Sequence, residues 1–344
     1  MGIAIRNLQI NKIGLNNRMV KDMKDFQELL AEARKCRPKR AAIAVAQDGG
    51  VLAAARECYE MGIAESVLVG DAAEISRIAR ERKIDISNFE VINEVEPEDA
   101  VRRAVQLVRE DKADILVKGA IKSPVYLKGI LDKDTGLRVG RGLSHVTVFE
   151  AKAYNRLMLM TDAGLNIMPT LEQKIVMVKN AVCVARSLKI PQPKVAVISG
   201  QELVNPDMPS TIDAAILSKM AERGQIKDCI IDGPLSLDLA LSKEAALAKG
   251  VVSPVAGQAD ILVLPNIDAA NVLYKSIGFL AGANIIGLIV GARVPATLPS
   301  RADSHETKMA SIAMAVLFAS KEEEKLQLSP SAAHGETMKI AARS

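Results

Sequence analysis

Along most of the chain, short runs of consecutive apolar residues alternate with longer stretches in which apolar side chains recur every three or four positions. The runs predict buried strands and the spaced stretches predict amphipathic helices. Asp22 to Cys36 carries Phe26, Leu29, Leu30 and Ala33 at helical spacing, and Arg40 to Ala46 follows as a short apolar strand. The pattern then predicts a helix over 49–61, a strand over 66–69, a helix over 71–82, a strand over 89–92, a helix over 97–110 and a strand over 114–117. Such alternation with short connections implies an α/β fold: a parallel sheet covered on both faces, with ligands outside the carboxyl ends of its strands.

The texture changes between Leu137 and Asp162. Val146 to Glu150 and Arg156 to Thr161 predict two strands turning around Ala153, an antiparallel excursion. A domain crossing is placed in the glycine- and arginine-containing loop from Gly136 to Gly142. The alternation resumes with helix 171–188, strand 194–199, helix 210–222, strand 226–232, helix 235–248, strand 260–264 and helix 269–281. Ile285 to Val290 predicts a last buried strand and Met309 to Phe318 a last helix. Beyond these, Lys321-Glu-Glu-Glu-Lys325 is a charge run and Ser329 to Gly335 has loop composition, so 321–344 is expected to be a mobile tail.

At 344 residues the chain is long enough for two domains, and 49% hydrophobic with 25% charged residues is a globular composition. With five Phe, four Tyr and no Trp, the core must be aliphatic, and the base-stacking surfaces of nucleic-acid binders lack their usual material. The net charge of +4 is interleaved rather than striped, which points away from nucleic acid and suits a cleft for small anions. Cys36, Cys58, Cys183 and Cys229 are scattered, without a disulfide framework or metal-ligand spacing, so reduced thiols and a cytoplasmic protein are expected. Met1 to Val20 has no apolar core segment of a signal peptide, and the longest uncharged run, Ser276 to Ala292, is interrupted by Gly278, Gly282, Asn284 and Gly287, so no membrane span is expected.

Candidate chemistry gathers at predicted strand ends. There is no G-x-x-x-x-G-K-[ST], and Gly140-Arg-Gly142 lacks the third glycine of a dinucleotide fingerprint. The stretch Pro295 to Lys308 instead places Ser300-Arg301 and Asp303-Ser304-His-Glu306 between a strand and a helix. Free N–H groups at a helix start, a hydroxyl and a guanidinium together bind an anion, most readily phosphate. Asp303 to Glu306 equally fits a capping box, which needs no function; Ser300-Arg301 exceeds what a cap requires.

Four further loops carry polar residues. Lys118-Gly-Ala-Ile-Lys122-Ser123 offers an ammonium to a phosphate oxygen or is a solvated loop; Ser144-His145 with Asp162 and Asn166 reads as a site or as a turn and cap for helix 171–188. Asp232-Gly-Pro reads as a turn. Ser253 and Gly257 allow close backbone approach by a ligand, and Asn271 and Lys275 share a helix face at i, i+4.

Taken in order, these loops resemble the phosphate acetyltransferase and phosphate butyryltransferase family. The resemblance rests on Lys118-Gly-Ala-Ile-Lys, Leu143-Ser-His, Asp162-Ala-Gly-Leu-Asn-Ile-Met-Pro, Val204-Asn-Pro-Asp-Met-Pro-Ser-Thr-Ile-Asp213, Asp232-Gly-Pro-Leu-Ser-Leu-Asp238, Ser253-Pro-Val-Ala-Gly257, Asn271-Val-Leu-Tyr-Lys275 and Ser300-Arg301-Ala-Asp303-Ser304. It covers roughly 22–320 and is nearer the butyryl branch, since an arginine that the acetyl branch carries in the first-domain loop is matched here only by Lys122 and Lys128.

The resemblance implies two doubly wound α/β/α domains of the isocitrate and isopropylmalate dehydrogenase architecture. Domain I spans 22–138 and 289–320, domain II spans 139–288, and 1–21 is an extension. It implies an interdomain active site, a homodimer or higher homo-oligomer, and reversible transfer of a short acyl group between coenzyme A, a co-substrate, and inorganic phosphate. No tightly bound cofactor and no metal is implied. In the acetyl branch the Ser-Arg pair falling on Ser300 and Arg301 is catalytic, and an acid a few residues later is the proposed base. That position falls near Thr307 here, with Asp303 and Glu306 on its N-terminal side. Lys122, Ser144, Asp162, Asn166, Ser253, Gly257, Asn271, Lys275 and Ser304 are the expected phosphate and coenzyme A contacts. Two alternatives from other classes are an inactive anion- or nucleotide-binding regulator on the same fold, and a metal-dependent hydroxyacid dehydrogenase, which would need a cluster of carboxylates.

Overall fold

The computed structural model of the chain describes residues 23–140, 142–150, 156–300 and 303–328. Eleven strands among these residues form one sheet: β1 Lys39–Ala44, β2 Ala64–Gly70, β3 Glu90–Asn93, β4 Ile115–Lys118, β5 Ser144–Glu150, β6 Leu157–Thr161, β7 Lys194–Ile198, β8 Ile230–Leu235, β9 Ile261–Val263, β10 Asn284–Val290 and β11 Ala296–Thr297. Their order across the sheet is β3-β2-β1-β4-β11-β10-β5-β6-β9-β7-β8. The pairings from β3 to β11 are parallel, as are those from β6 to β8. Between these blocks, β11, β10, β5 and β6 pair antiparallel in turn. The antiparallel excursion is therefore the seam of the sheet, and the expected boundary between 288 and 289 falls inside β10.

Among the described residues, eleven α-helices cover the two faces: α1 Phe26–Ala33, α2 Gly49–Glu60, α3 Ala72–Arg82, α4 Pro97–Arg109, α5 Ser123–Leu131, α6 Leu171–Ser187, α7 Pro209–Glu222, α8 Leu237–Leu241, α9 Lys243–Ala248, α10 Ile267–Lys275 and α11 His305–Leu328. The core lies against both faces of the sheet and is aliphatic, with Leu288, Ile289 and Val290 of β10 and Ile312 to Leu317 of α11 fully buried. None of the described helices is long and apolar enough to cross a membrane.

Four predicted details change. Asp232-Gly-Pro234 is not a turn but the middle of β8, an edge strand, where a proline removes no needed ladder donor. The single helix expected over 235–248 is two, broken at Ser242, whose hydroxyl caps α9 by accepting from the Ala245 N–H at 3.1 Å. Helix α5 is absent from the sequence reading, although Pro124 in its first turn and buried Tyr126 and Ile130 mark it. The charge run from Lys321 extends α11 to Leu328 instead of opening a tail, because Lys39, buried in β1, pairs with Glu323. The remainder of the expected tail, 329–344, and the extension over 1–21 lie outside the described residues.

Candidate active site

The loop that joins β11 to α11 sits where the two blocks of the sheet meet. Leu298 N–H donates to Gly287 O of β10 at 3.0 Å, and Lys118, at the end of β4, reaches across to donate from Nζ to Pro299 O at 3.2 Å. Ser300 and Asp303 then bond to each other. The Ser300 N–H donates to Asp303 Oδ2 at 2.7 Å, and the Asp303 N–H donates to Ser300 O at 3.3 Å. Arg301 lies outside the described residues.

The expected capping box does not form, and the cap stands one residue later. Ser304, not Asp303, caps α11: its Oγ accepts from the Thr307 N–H at 3.3 Å, and Thr307 stands where a box would need Glu or Gln. The two candidate carboxylates are thereby separated. Glu306 is exposed in the first turn, its carboxyl held low by the Ser304 hydroxyl, its own N–H and His305. Asp303 is half-buried, and burial raises its carboxyl above the usual range against the opposing pull of the Ser300 N–H, Lys308, Lys275 and Lys118.

Helix α10 supplies the facing wall. Asn266 caps it by accepting from the Ala269 N–H at 3.0 Å, and Asn271, Tyr274 and Lys275 project toward the β11–α11 loop. Lys275 Nζ stands 5.0 Å from the Tyr274 ring centre and 6.0 Å from that of Phe279. Burial, with the neighbouring Asp303 charge, pushes the Tyr274 hydroxyl up to about 12. On the other side Lys308, buried one turn into α11, lies 3.2 Å from Asp48. The charges of Lys308, Lys275 and Lys118 thus act on the Asp303 carboxylate near a helix N-terminus, an arrangement that favours anions.

Two cavities open here. One of about 260 Å³ is lined by Tyr274, Lys275, Ser300, Asp303 and Ser304 together with apolar Phe279, Ala283 and Ile285. The other, of about 290 Å³, is lined by Ser123, His145, Gly164, Asn271, Lys275 and Ser300. Ser300, Tyr274 and Lys275 belong to both.

The structure therefore brings together Ser300, Asp303, Ser304, Asn271 and Lys275. Lys122 is exposed just before Ser123. Ser144 is buried, and its Oγ accepts from Asn180 Nδ2 at 2.9 Å. Asp162 accepts from the N–H groups of His145, Gly164 and Leu165 at 2.8, 2.9 and 2.8 Å and from Asn166 Nδ2 at 2.7 Å, so the pair fastens a turn. It does not cap α6, which Thr170 and Gln173 cap in a complete capping box. Ser253 Oγ accepts from the Val255 and Ala256 N–H groups, both at 3.1 Å, and Gly257, at φ +67°, packs against Lys243. Neither residue lines the two cavities. Lys118, His145 and Tyr274 are named in the sequence only as members of loops or motifs, with no role of their own. Each stood inside a quoted motif, but which side chain of a motif turns inward depends on its strand or helix register. Among the described residues no group of three or more His, Cys, Asp or Glu could hold a metal ion, the cluster a dehydrogenase reading requires.

The profile of the phosphate acetyl/butaryl transferase family matches residues 25–102 and 94–316. The chain belongs to that family. It is 48% identical over 297 residues to a phosphate butyryltransferase of Clostridium acetobutylicum, covering 86% of this chain and 99% of that one. A phosphate acetyltransferase of Thermotoga maritima is 46% identical over 294 residues, covering 86% of this chain and 100% of the relative. Among solved structures, a branched-chain phosphotransacylase from Enterococcus faecalis superposes with a TM-score of 0.71 at 34% identity over 82% of this chain and 99% of that one. A 4-hydroxythreonine-4-phosphate dehydrogenase from Salmonella typhimurium shares the fold, with a TM-score of 0.51 at 13% identity over 82% of this chain and 99% of that one. The α/β architecture expected from the sequence is thus that of this wider group.

Proposed function

We propose that the chain catalyses reversible transfer of a short acyl group, butyryl in preference to acetyl, between coenzyme A and inorganic phosphate, by direct attack in a ternary complex. The observation that carries this reading is Asp303, half-buried among Lys118, Lys275 and Lys308 beside Ser300, at the start of a long helix and on the wall of a part-apolar cavity.

Phosphate is dianionic near neutral pH and needs positioning more than activation. The N-terminus of α11, Lys275 and the Arg301 guanidinium supply that, and the fork of an arginine suits two phosphate oxygens. The phosphate oxygen attacks the thioester carbonyl. The Ser300 hydroxyl donates to the oxyanion that forms, a contribution of about 3 kcal/mol for one good donor. Collapse of the intermediate breaks the C–S bond, and the proton of the phosphate passes by way of Asp303 to the departing thiolate, releasing coenzyme A as the thiol. In the reverse direction Asp303 accepts the thiol proton; its raised carboxyl makes it a better proton acceptor than a solvated carboxylate such as Glu306. Phe279, Ala283 and Ile285 offer an apolar wall to an acyl chain, and the butyryl- and branched-chain-active relatives support that preference.

The two lobes, divided near the β10–β5 seam, the homodimer and the cytoplasmic location are part of the same reading. They are supported by the membership of the family. Coenzyme A release from butyryl-CoA, measured with and without phosphate across acyl lengths from acetyl to branched five-carbon, tests it. Phosphate-dependent release peaking at four or five carbons is expected. A peak at acetyl would make the chain a phosphate acetyltransferase, and no release at all would favour an anion-binding regulator.

A further inference from the structure

His145 is the second residue of β5, at the seam, and lies opposite Ile289 of β10. It is one of three histidines in the chain. Both ring nitrogens are buried, and among the described residues neither has a hydrogen-bond partner. Two glycines make room for the ring: a Cβ on Gly287 would stand 2.4 Å from Nε2, and one on Gly164 would stand 3.1 Å from Nδ1. Gly164 and His145 both line the cavity of about 290 Å³ that Ser300, Asn271 and Lys275 share. Nδ1 therefore lies against Gly164, a residue of the cavity wall, and Nε2 against Gly287 of β10. Leu298 closes the same gap, its Cδ2 3.5 Å from that Cβ position on Gly164.

An imidazole that served only to fill space would leave two polar groups orphaned, at about 1–3 kcal/mol each, where a phenyl or isobutyl group would leave none. Burial lowers the imidazole below its usual value against the opposing pull of the Asp162 carboxylate, which favours the neutral ring with one N–H. A neutral imidazole can polarise a carbonyl without bringing a charge that competes with the anion site.

We infer that His145 is a further catalytic residue, its Nδ1–H donating to the carbonyl oxygen of an acyl group held in the cavity that it shares with Ser300. This rests on the acyl-transfer reading above. The two donors would then share the oxyanion, while Lys275 and Asn271 close the cavity from α10. No bond to His145 forms or breaks, so the step stays balanced as phosphate addition and thiolate departure.

The test uses the full-length protein, wild type, His145→Gln and His145→Ala. Phosphate-dependent coenzyme A release by the wild type is measured first, because failure there would sink the acyl-transfer reading and not the role of His145. With an active wild type, His145→Ala is expected to lose about 10²-fold in kcat with little change in KM for phosphate. Its melting temperature should fall, because deleting a buried ring leaves a cavity, so kcat is compared at a temperature at which both proteins are folded. His145→Gln, which retains an N–H donor, should recover at least a tenth of the wild-type rate. Nitrogen-15 spectra of the imidazoles, assigned with the variants, should show the His145 resonance moving when butyryl-CoA is added without phosphate. Wild-type kcat in His145→Ala, loss of activity only in proportion to loss of stability, or an unmoved His145 resonance in active protein would each overturn the inference.

Discussion

Two loops of this protein, Asp162 to Asn166 after β6 and Ser300 to Ser304 before α11, look alike in sequence: each has an acid, a small residue and a polar partner at a strand end. In the first, the carboxylate of Asp162 is surrounded by four N–H donors of its own turn and neighbouring strand, and Asn166 also donates to Leu143 O at 3.0 Å. In the second, Asp303 accepts one backbone N–H, lies in the field of Lys308, Lys275 and Lys118, and borders a cavity. The difference teaches that polar composition does not make a site. A site keeps charge that its own backbone has not satisfied, and maintains it only because surrounding packing holds it.

Substitutions can break that contrast. The largest effect is expected in the second loop: Ser300→Ala should lower kcat by about 10²–10³-fold with the melting temperature near wild type, as loss of one oxyanion donor does. Arg301→Ala should raise the apparent phosphate constant as well as lower kcat, and steady-state kinetics with phosphate varied separates the two. In the first loop the expected readout is reversed. Asp162→Ala strands several buried N–H groups and should cost about 3 kcal/mol or more in urea unfolding, while any folded fraction retains near-normal KM values.

Asp303→Asn separates chemistry from stability. Because burial raises this carboxyl in the folded state, ionising it opposes folding: its stabilising contribution is complete below its unfolded pKa and lost as pH rises through the folded value. The variant should therefore be at least as stable as wild type at neutral pH, with the advantage fading in acid, yet lose the acid limb of the rate profile for coenzyme A acylation. A retained acid limb would assign the proton to another group. The smallest effects belong to the helix start. Ser304→Ala should cost about 1 kcal/mol in denaturant unfolding as the cap is lost, and Glu306→Gln should leave the pH profile unchanged, since its carboxylate is exposed.

Much of the fold was legible in sequence because strands and helices carry different apolar periods, and those periods are local. The helices over 49–60, 72–82 and 97–109 and the strand pair β5 and β6 fall close to where the pattern puts them. The misses have local causes: Pro234 in an edge strand mimics a turn, and α5 is short and interrupted by Gly129. The stretch Ser300 to Ser304 and the face shared by Asn271 and Lys275 were also legible, because serine and asparagine at a helix start and two residues at i, i+4 have few geometries to choose from.

What the chain order could not supply is which polar groups are used up. Ser144 and His145 are adjacent, and only the pleat and the two glycines at 164 and 287 decide that the serine is tied to Asn180 while the imidazole reaches the cavity edge. Asp303 and Glu306 are three residues apart in sequence; packing buries one among Lys118, Lys275 and Lys308 and leaves the other in water. By itself the sequence determined the α/β periodicity, the helix start after Ser300 and the family motifs, all properties of near neighbours along the chain. Only the tertiary structure decided the electrostatics of the site, because desolvation and convergent charge come from residues that meet across the sheet, far apart in sequence.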